Sequence, residues 1–178
     1  MGYPVVLKVV SPQILHKTEV GGVKLSLKNR EEVISGYREV VENVEKTRPG
    51  VRILGVYVEQ QVPRGVEVVV GLIRDKQFGP VLMFGLGGVW VELLRDVTFR
   101  VLPAPREELE EMISEVKVYQ LLKGFRGQKA ADIDAIINLL INVGRMGLES
   151  DEIAEMDLNP VEVYPDGLVA VDVKVVLS

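Results

Sequence analysis

The 178-residue sequence predicts an α+β fold. Apolar runs of strand length, separated by Gly, Pro and Asp turn signals, recur along most of the chain. The last twenty-odd residues read as a hairpin whose loop is Pro165-Asp166-Gly167, since Asx-Gly tolerates the positive φ that tight hairpins need. Helical spacing is confined to a few segments. Hairpins mixed with few helices place the chain in the α+β class rather than among alternating α/β folds.

Residues 4–10 form an apolar strand carrying one charge, Lys8, and residues 11–22 form a polar loop ending in Gly21-Gly22. Residues 23–27 alternate as a strand. Asn29 with Glu32 resembles a capping box. Behind it Val33, Ile34, Tyr37, Val40, Val41 and Val44 share one helical face, and Pro49-Gly50 ends the unit. Strands follow at 51–61, 66–73 and 80–84, with a break at Pro63-Arg64-Gly65 and a turn at 75–79. Further strands are expected at 89–94 and 98–102. Residues 105–117 have helical spacing, with Glu107, Glu108, Glu110 and Glu111 in the early turns, where the helix dipole favours them. Ile133, Ile136, Ile137, Leu140, Ile141 and Val143 mark a largely buried helix. The break near Pro63 divides the chain into a partial first lobe, 1–61, and a second lobe, 62–178.

Composition excludes several function classes. The net charge of −5 gives no broad basic face for nucleic acid. With no cysteine, disulfides, thiolate zinc sites and a catalytic thiol are ruled out. No apolar run approaches the ~20 residues that span a bilayer. The start lacks the pattern of a signal peptide, and Val6 stands where myristoylation expects Ser or Thr. A cytoplasmic location is the expectation. Abundant Glu, Lys, Arg and Val with scarce Gln and Asn lean toward a thermophilic source.

Several residues carry chemistry. The terminal hairpin brings Asn159 near Asp172, and an amide oxygen beside a carboxylate suits Mg²⁺. Lys8 shares a strand face with Val6 and Val10, which reads either as an exposed edge or as a cation aimed at a phosphate. Gly21-Gly22 either forms a turn or lets backbone amides approach an anion. His16, the only histidine, is either structural or a phosphoryl acceptor. Glu59 ends a strand at the break and Glu67 lies in the next strand, as ribose acceptors or as solvated positions. Gly85-Leu86-Gly87-Gly88 lacks the following helix of a dinucleotide fingerprint, which leaves open a phosphate-covering or substrate-facing loop. Gly124-Phe125-Arg126-Gly127 either aims an Arg at an anion or caps a helix.

Together the segments Pro4 to Lys8, Ser11 to Lys24, Val58-Glu59 with Glu67, Phe84 to Gly88, and Asp157-Leu158-Asn159-Pro160 with Asp172 resemble the ATP-grasp domain of nucleoside-diphosphate-forming acyl-CoA synthetases. The likeness is nearest to the β-subunit of ADP-forming acetyl-CoA synthetase, within the succinyl-CoA synthetase superfamily. The resemblance implies two lobes with the nucleotide site between them. It implies ATP/ADP and Mg²⁺ as cofactors, a CoA-binding α-subunit as partner, and an acid-thiol ligase activity that is incomplete without that partner. By the same resemblance Lys8 contacts ATP phosphates, and Gly21 and Gly22 belong to the same cofactor-binding set. The backbone from Gln60 to Val62 binds adenine, and Glu59 and Glu67 hold the ribose. Asn159 and Asp172 bind Mg²⁺, Asp157 lies beside the transferring phosphoryl, and His16 takes part in phosphate relay. The family's domain usually begins earlier in its first lobe, so that lobe is expected to be incomplete. Alternative readings are a succinyl-CoA or malate-CoA ligase β-subunit, against which the His16 loop argues, and a non-catalytic ATP-grasp regulatory module.

Overall fold

The computed structural model describes residues 2–14, 16–88 and 94–178. The strand expected at 89–94 falls almost wholly outside them. Contacts divide the chain into two compact units, Met1–Pro63 and Arg64–Ser178.

The first unit is a three-stranded antiparallel sheet in the order β2-β1-β3, built from β1 (Val5–Val10), β2 (Val23–Leu27) and β3 (Gly55–Gln60). Helix α1 (Arg30–Thr47) packs on one face, against Val5, Leu7 and Val9 of β1. Its N-cap is Asn29, whose side chain accepts from Glu32 N–H at 2.8 Å. Glu32 reaches back to Lys28 N–H and to the Asn29 amide, so the box closes one residue earlier than its usual form. The buried stripe is Gly36, Val40 and Val44; Ile34 and Tyr37, expected on that face, are exposed. β3 begins only at Gly55, later than the expected 51, because its partner β1 runs out at Val10, which is paired with Gly55.

The second unit is a sheet in the order β6-β5-β4-β7-β8, with β9 pairing the other end of β7. Its strands are β4 (Val66–Asp75), β5 (Gly79–Leu86), β6 (Val97–Val101), β7 (Ile153–Tyr164), β8 (Gly167–Ala170) and β9 (Val173–Leu177). Among the described residues its helices include α2 (Arg106–Glu115), α3 (Tyr119–Leu122) and α4 (Ile133–Glu149). Val68, Val70 and Leu72 of β4 pack with Leu82 and Phe84 of β5 against Leu109, Met112 and Ile113 of α2 and Ile136, Ile137 and Leu140 of α4. Each such buried side chain contributes about 1.5–3 kcal/mol. The expected hairpin loop of Pro165-Asp166-Gly167 contracts to two residues, because Gly167 already pairs with Tyr164 as the first residue of β8. Pro165 cannot take positive φ, so the left-handed geometry passes to Gly167, at φ 129°.

One irregularity decides which side chains leave the helical face. Val68 pairs with Val161 and Val70 with Leu158, so two residues of β7, Asn159 and Pro160, stand opposite Val69 alone. Pro160 has no N–H to give the ladder, which suits it to this bulge. The inward positions therefore switch from Met156 and Leu158 before the bulge to Val161 and Val163 after it. The opposite face carries Asp157 and Asn159 before it and Glu162 after it.

Candidate functional site

In the second unit, the face away from the helices gathers polar groups on adjacent strands. Glu67 of β4 is directly opposite Glu162 of β7. Asn159 is joined to Asp172 through the backbone, its N–H donating to the Asp172 carbonyl at 3.1 Å. Asp172 itself sits at the break between β8 and β9, where the return strand changes from pairing one half of β7 to the other. Asp157, two residues before Asn159, pairs with Lys174 of β9. All three side chains are half-buried.

The glycine-rich turn after β5 closes over this face. Gly88 N–H donates to Asn159 Oδ1 at 2.8 Å, and Gly87 N–H donates to the Glu67 carbonyl at 3.0 Å. Gly88 adopts φ 67°, and a Cβ there would overlap Glu67 Oε2. Only glycine meets both demands. Burial pushes the Glu67 carboxyl above its ordinary range; the facing Glu162 adds to the rise and Arg64 opposes it.

The donors on this face are all oxygens, as a hard cation prefers. An amide oxygen has two lone pairs, so the Gly88 bond leaves Asn159 Oδ1 able to bind another partner. Among the described residues no cluster of three or more carboxylate or imidazole groups is placed to cage a metal. An amide oxygen beside a carboxylate suits Mg²⁺, which takes one or two protein oxygens and is completed by water and phosphate.

In the first unit, Lys8 is only 8% exposed and lies on the sheet face opposite α1. Its Nζ is 2.7 Å from Glu59 Oε2. The pair is diagonal across β1 and β3, since Lys8 is in register with Tyr57 and Val6 with Glu59. Gln60, in register with Val5, ends β3, and Gln61 N–H donates to the Pro4 carbonyl at 3.0 Å, which extends the ladder toward the half-buried Val62. His16 is exposed in the loop between β1 and β2. The amides of Gly21 and Gly22 donate to the carbonyls of Thr18 and Lys17. In this structure those glycines close the loop, and their N–H groups are spent on it.

Two shallow apolar depressions in the second unit, of 220 and 260 Å³, are lined by other residues, among them Leu86, Val118 and Leu121 in one and Leu102, Ile141 and Leu148 in the other. Sequence reasoning missed Glu162. The signal was there in Pro160, which cannot continue a ladder and so shifts the alternation by one residue, but the shift becomes visible only once the pairing with β4 is known.

A family profile described as an ATP-grasp domain matches residues 1–177. The chain is 48% identical over 177 residues to the β-subunit of ADP-forming acetate–CoA ligase I of Pyrococcus furiosus, covering 99% of this chain and 76% of that one. A solved structure of a dinucleotide-forming acetyl-coenzyme A synthetase 1 of Candidatus Korarchaeum cryptofilum, in complex with coenzyme A and Ca-AMPCP, superposes with a TM-score of 0.95 at 56% identity, over 99% of this chain and 77% of that one. Another structure of that synthetase holds coenzyme A and Mg-AMPPCP, with a phosphohistidine segment pointing towards the nucleotide binding site; it matches at TM-score 0.85 and 54% identity, over 99% of this chain and 78% of that one. Each of these relatives extends beyond the matched stretch.

Proposed function

This chain belongs to the ATP-grasp domain family, in the group of ADP-forming acetate–CoA ligase β-subunits, and from that premise we propose that it is the nucleotide-handling part of such a ligase. The observation that carries the reading is 48% identity to a β-subunit across 99% of the chain. The overall reaction would be acyl-CoA + ADP + phosphate ⇌ acid + CoA + ATP. The chain would need a CoA-binding α-subunit to complete it, and would work where ATP and CoA are held, in the cytoplasm. No described helix is long and apolar enough to cross a membrane.

The step assigned to this chain is phosphoryl transfer between ATP and a histidine. A phosphorus–nitrogen bond forms at the imidazole as the bond to the ADP oxygen breaks. Such transfer is catalysed by positioning and charge neutralisation. Lys8, its ammonium oriented by Glu59, would sit against the phosphates. Glu59 and Glu67 would accept from ribose hydroxyls, and the backbone from Gln60 to Val62 would meet the adenine. Asn159 and Asp172 would hold Mg²⁺, with Asp157 beside the transferring group. A bound Mg²⁺ would supply charge neutralisation at the phosphate oxygens.

Two variants test this. Lys8→Ala should weaken ATP binding roughly ten- to hundredfold, the range of a lost charge-assisted contact, and leave adenosine binding nearly unchanged. Equal losses for both ligands in calorimetry would count against the phosphate role. His16→Ala, in the enzyme assembled with its partner, should abolish net acyl-CoA synthesis while ATP still binds. The support is the exposed position of His16 in a long polar loop beside Lys17. Near-normal turnover would end the relay idea and leave the family assignment standing.

A further inference from the structure

Glu162 is a charged residue that the proposed reaction does not use, yet it is 6% exposed. It faces another carboxylate, Glu67, directly across the β4–β7 ladder. Like charges opposite one another destabilise a sheet, and a buried charge is costly unless hydrogen-bonded. Two features say what the residue does there. Glu162 Oε2 accepts from Gly65 N–H at 2.6 Å, and Gly65 precedes β4, so its amide lies just outside the ladder. Gly65 is also pressed so closely onto β7 that a Cβ there would overlap the Val163 carbonyl oxygen. Glu67 lies only two residues beyond Gly65. Its carboxylate has Glu162 and Arg64 as charged neighbours, and it is bounded on the third side by Gly88.

We propose that Glu162 is a positioning residue for nucleotide binding: by anchoring the Gly65 amide to β7 it fixes the start of β4 and so the path of Glu67. The proposal rests on the reading above that Glu67 contacts the nucleotide. The side chain acts through its reach rather than its charge. Glutamine keeps an oxygen at the same distance along the chain and can still accept from Gly65. Aspartate keeps the charge but is one methylene too short. Alanine loses both.

The test compares Glu162→Gln, Glu162→Asp and Glu162→Ala in the ligase assembled with its partner, measuring KM for ATP, kcat and Tm. Glu162→Gln should stay within about twofold of the parent in KM, whereas Asp and Ala should raise it about tenfold with kcat little changed, as outer supporting hydrogen bonds do. An unaltered KM in the Asp and Ala variants, whatever their Tm, overturns the inference. So does a Gln variant as impaired as Ala, because charge would then matter and the anchor would not. If the Ala variant fails to fold, the Asp and Gln pair still decides. A parent protein that binds no ATP would instead defeat the functional reading.

Discussion

Asp172→Asn is expected to abolish Mg²⁺-dependent nucleotide turnover and leave the fold intact. The substitution is nearly isosteric and removes one negative oxygen. The backbone contact at this position, the Asp172 carbonyl accepting from Asn159 N–H, is retained by any side chain. Asp172 is half-buried and lies at a break in the strand, outside the helix-packed core, so the variant should still fold and melt cooperatively. Exchanging a carboxylate for an amide leaves two neutral oxygens, Asn159 and Asn at 172, where a hard cation seeks charge. Loss of supporting residues around a metal already costs about 10–100-fold, so loss of a ligand should cost at least about a hundredfold. Turnover at varied Mg²⁺ with a melting curve checks both halves. Full activity in the folded variant would remove Asp172 from the proposed metal site.

Gly88→Ala should damage both stability and binding. A left-handed residue with a Cβ costs about 1–2 kcal/mol, and here the added methyl also displaces the Glu67 carboxylate. Moving Gly88 breaks its bond to Asn159 Oδ1, so the proposed metal ligand loses its orientation in the same event. Gly79→Ala is the control. Gly79 has φ 75°, but its Cβ would meet nothing within 4 Å. The control should lose about as much stability to backbone strain alone and keep its nucleotide affinity. Gly88→Ala should lose more of both, with ATP affinity down at least about tenfold. Thermal unfolding and calorimetry on the two variants would refute the idea if they behaved alike.

Much of the fold was legible because strand signals are local. The runs at 23–27 and 66–73 reappear as β2 and most of β4, and the Asn29–Glu32 pair caps α1. Errors arose where pairing, not sequence, sets the limit. β5 runs to Leu86, past the expected Phe84, because Leu86 still pairs with Val68. Ile34 and Tyr37 matched the helical period, but α1 offers the sheet a stripe only as wide as Gly36, Val40 and Val44. The helix expected to reach 117 stops at Glu115, where Asp96 receives the Lys117 and Val118 amides. In the site, Asn159 and Asp172 could be brought together from the hairpin alone. The Gly88–Asn159 bond and the Glu162 anchor could not, since each joins residues about seventy or more positions apart through a register the sequence does not state.

The β7 bulge has a consequence for how this domain tolerates insertion and deletion. Remove Pro160 and the ladder becomes regular: Asn159 alone faces Val69, Val161 and Val163 keep their inward positions, and Glu162 keeps its outward one. Remove Glu162 instead and Val163 moves opposite Glu67, out of the core. The bulge is therefore where residues 157–163 can lose a residue without reversing the side chains beyond it. A shortened variant should take its one-residue loss at the bulge, and the exposed Pro165–Asp166 turn, whose extension leaves that register untouched, is the neighbouring position where added residues should be accommodated.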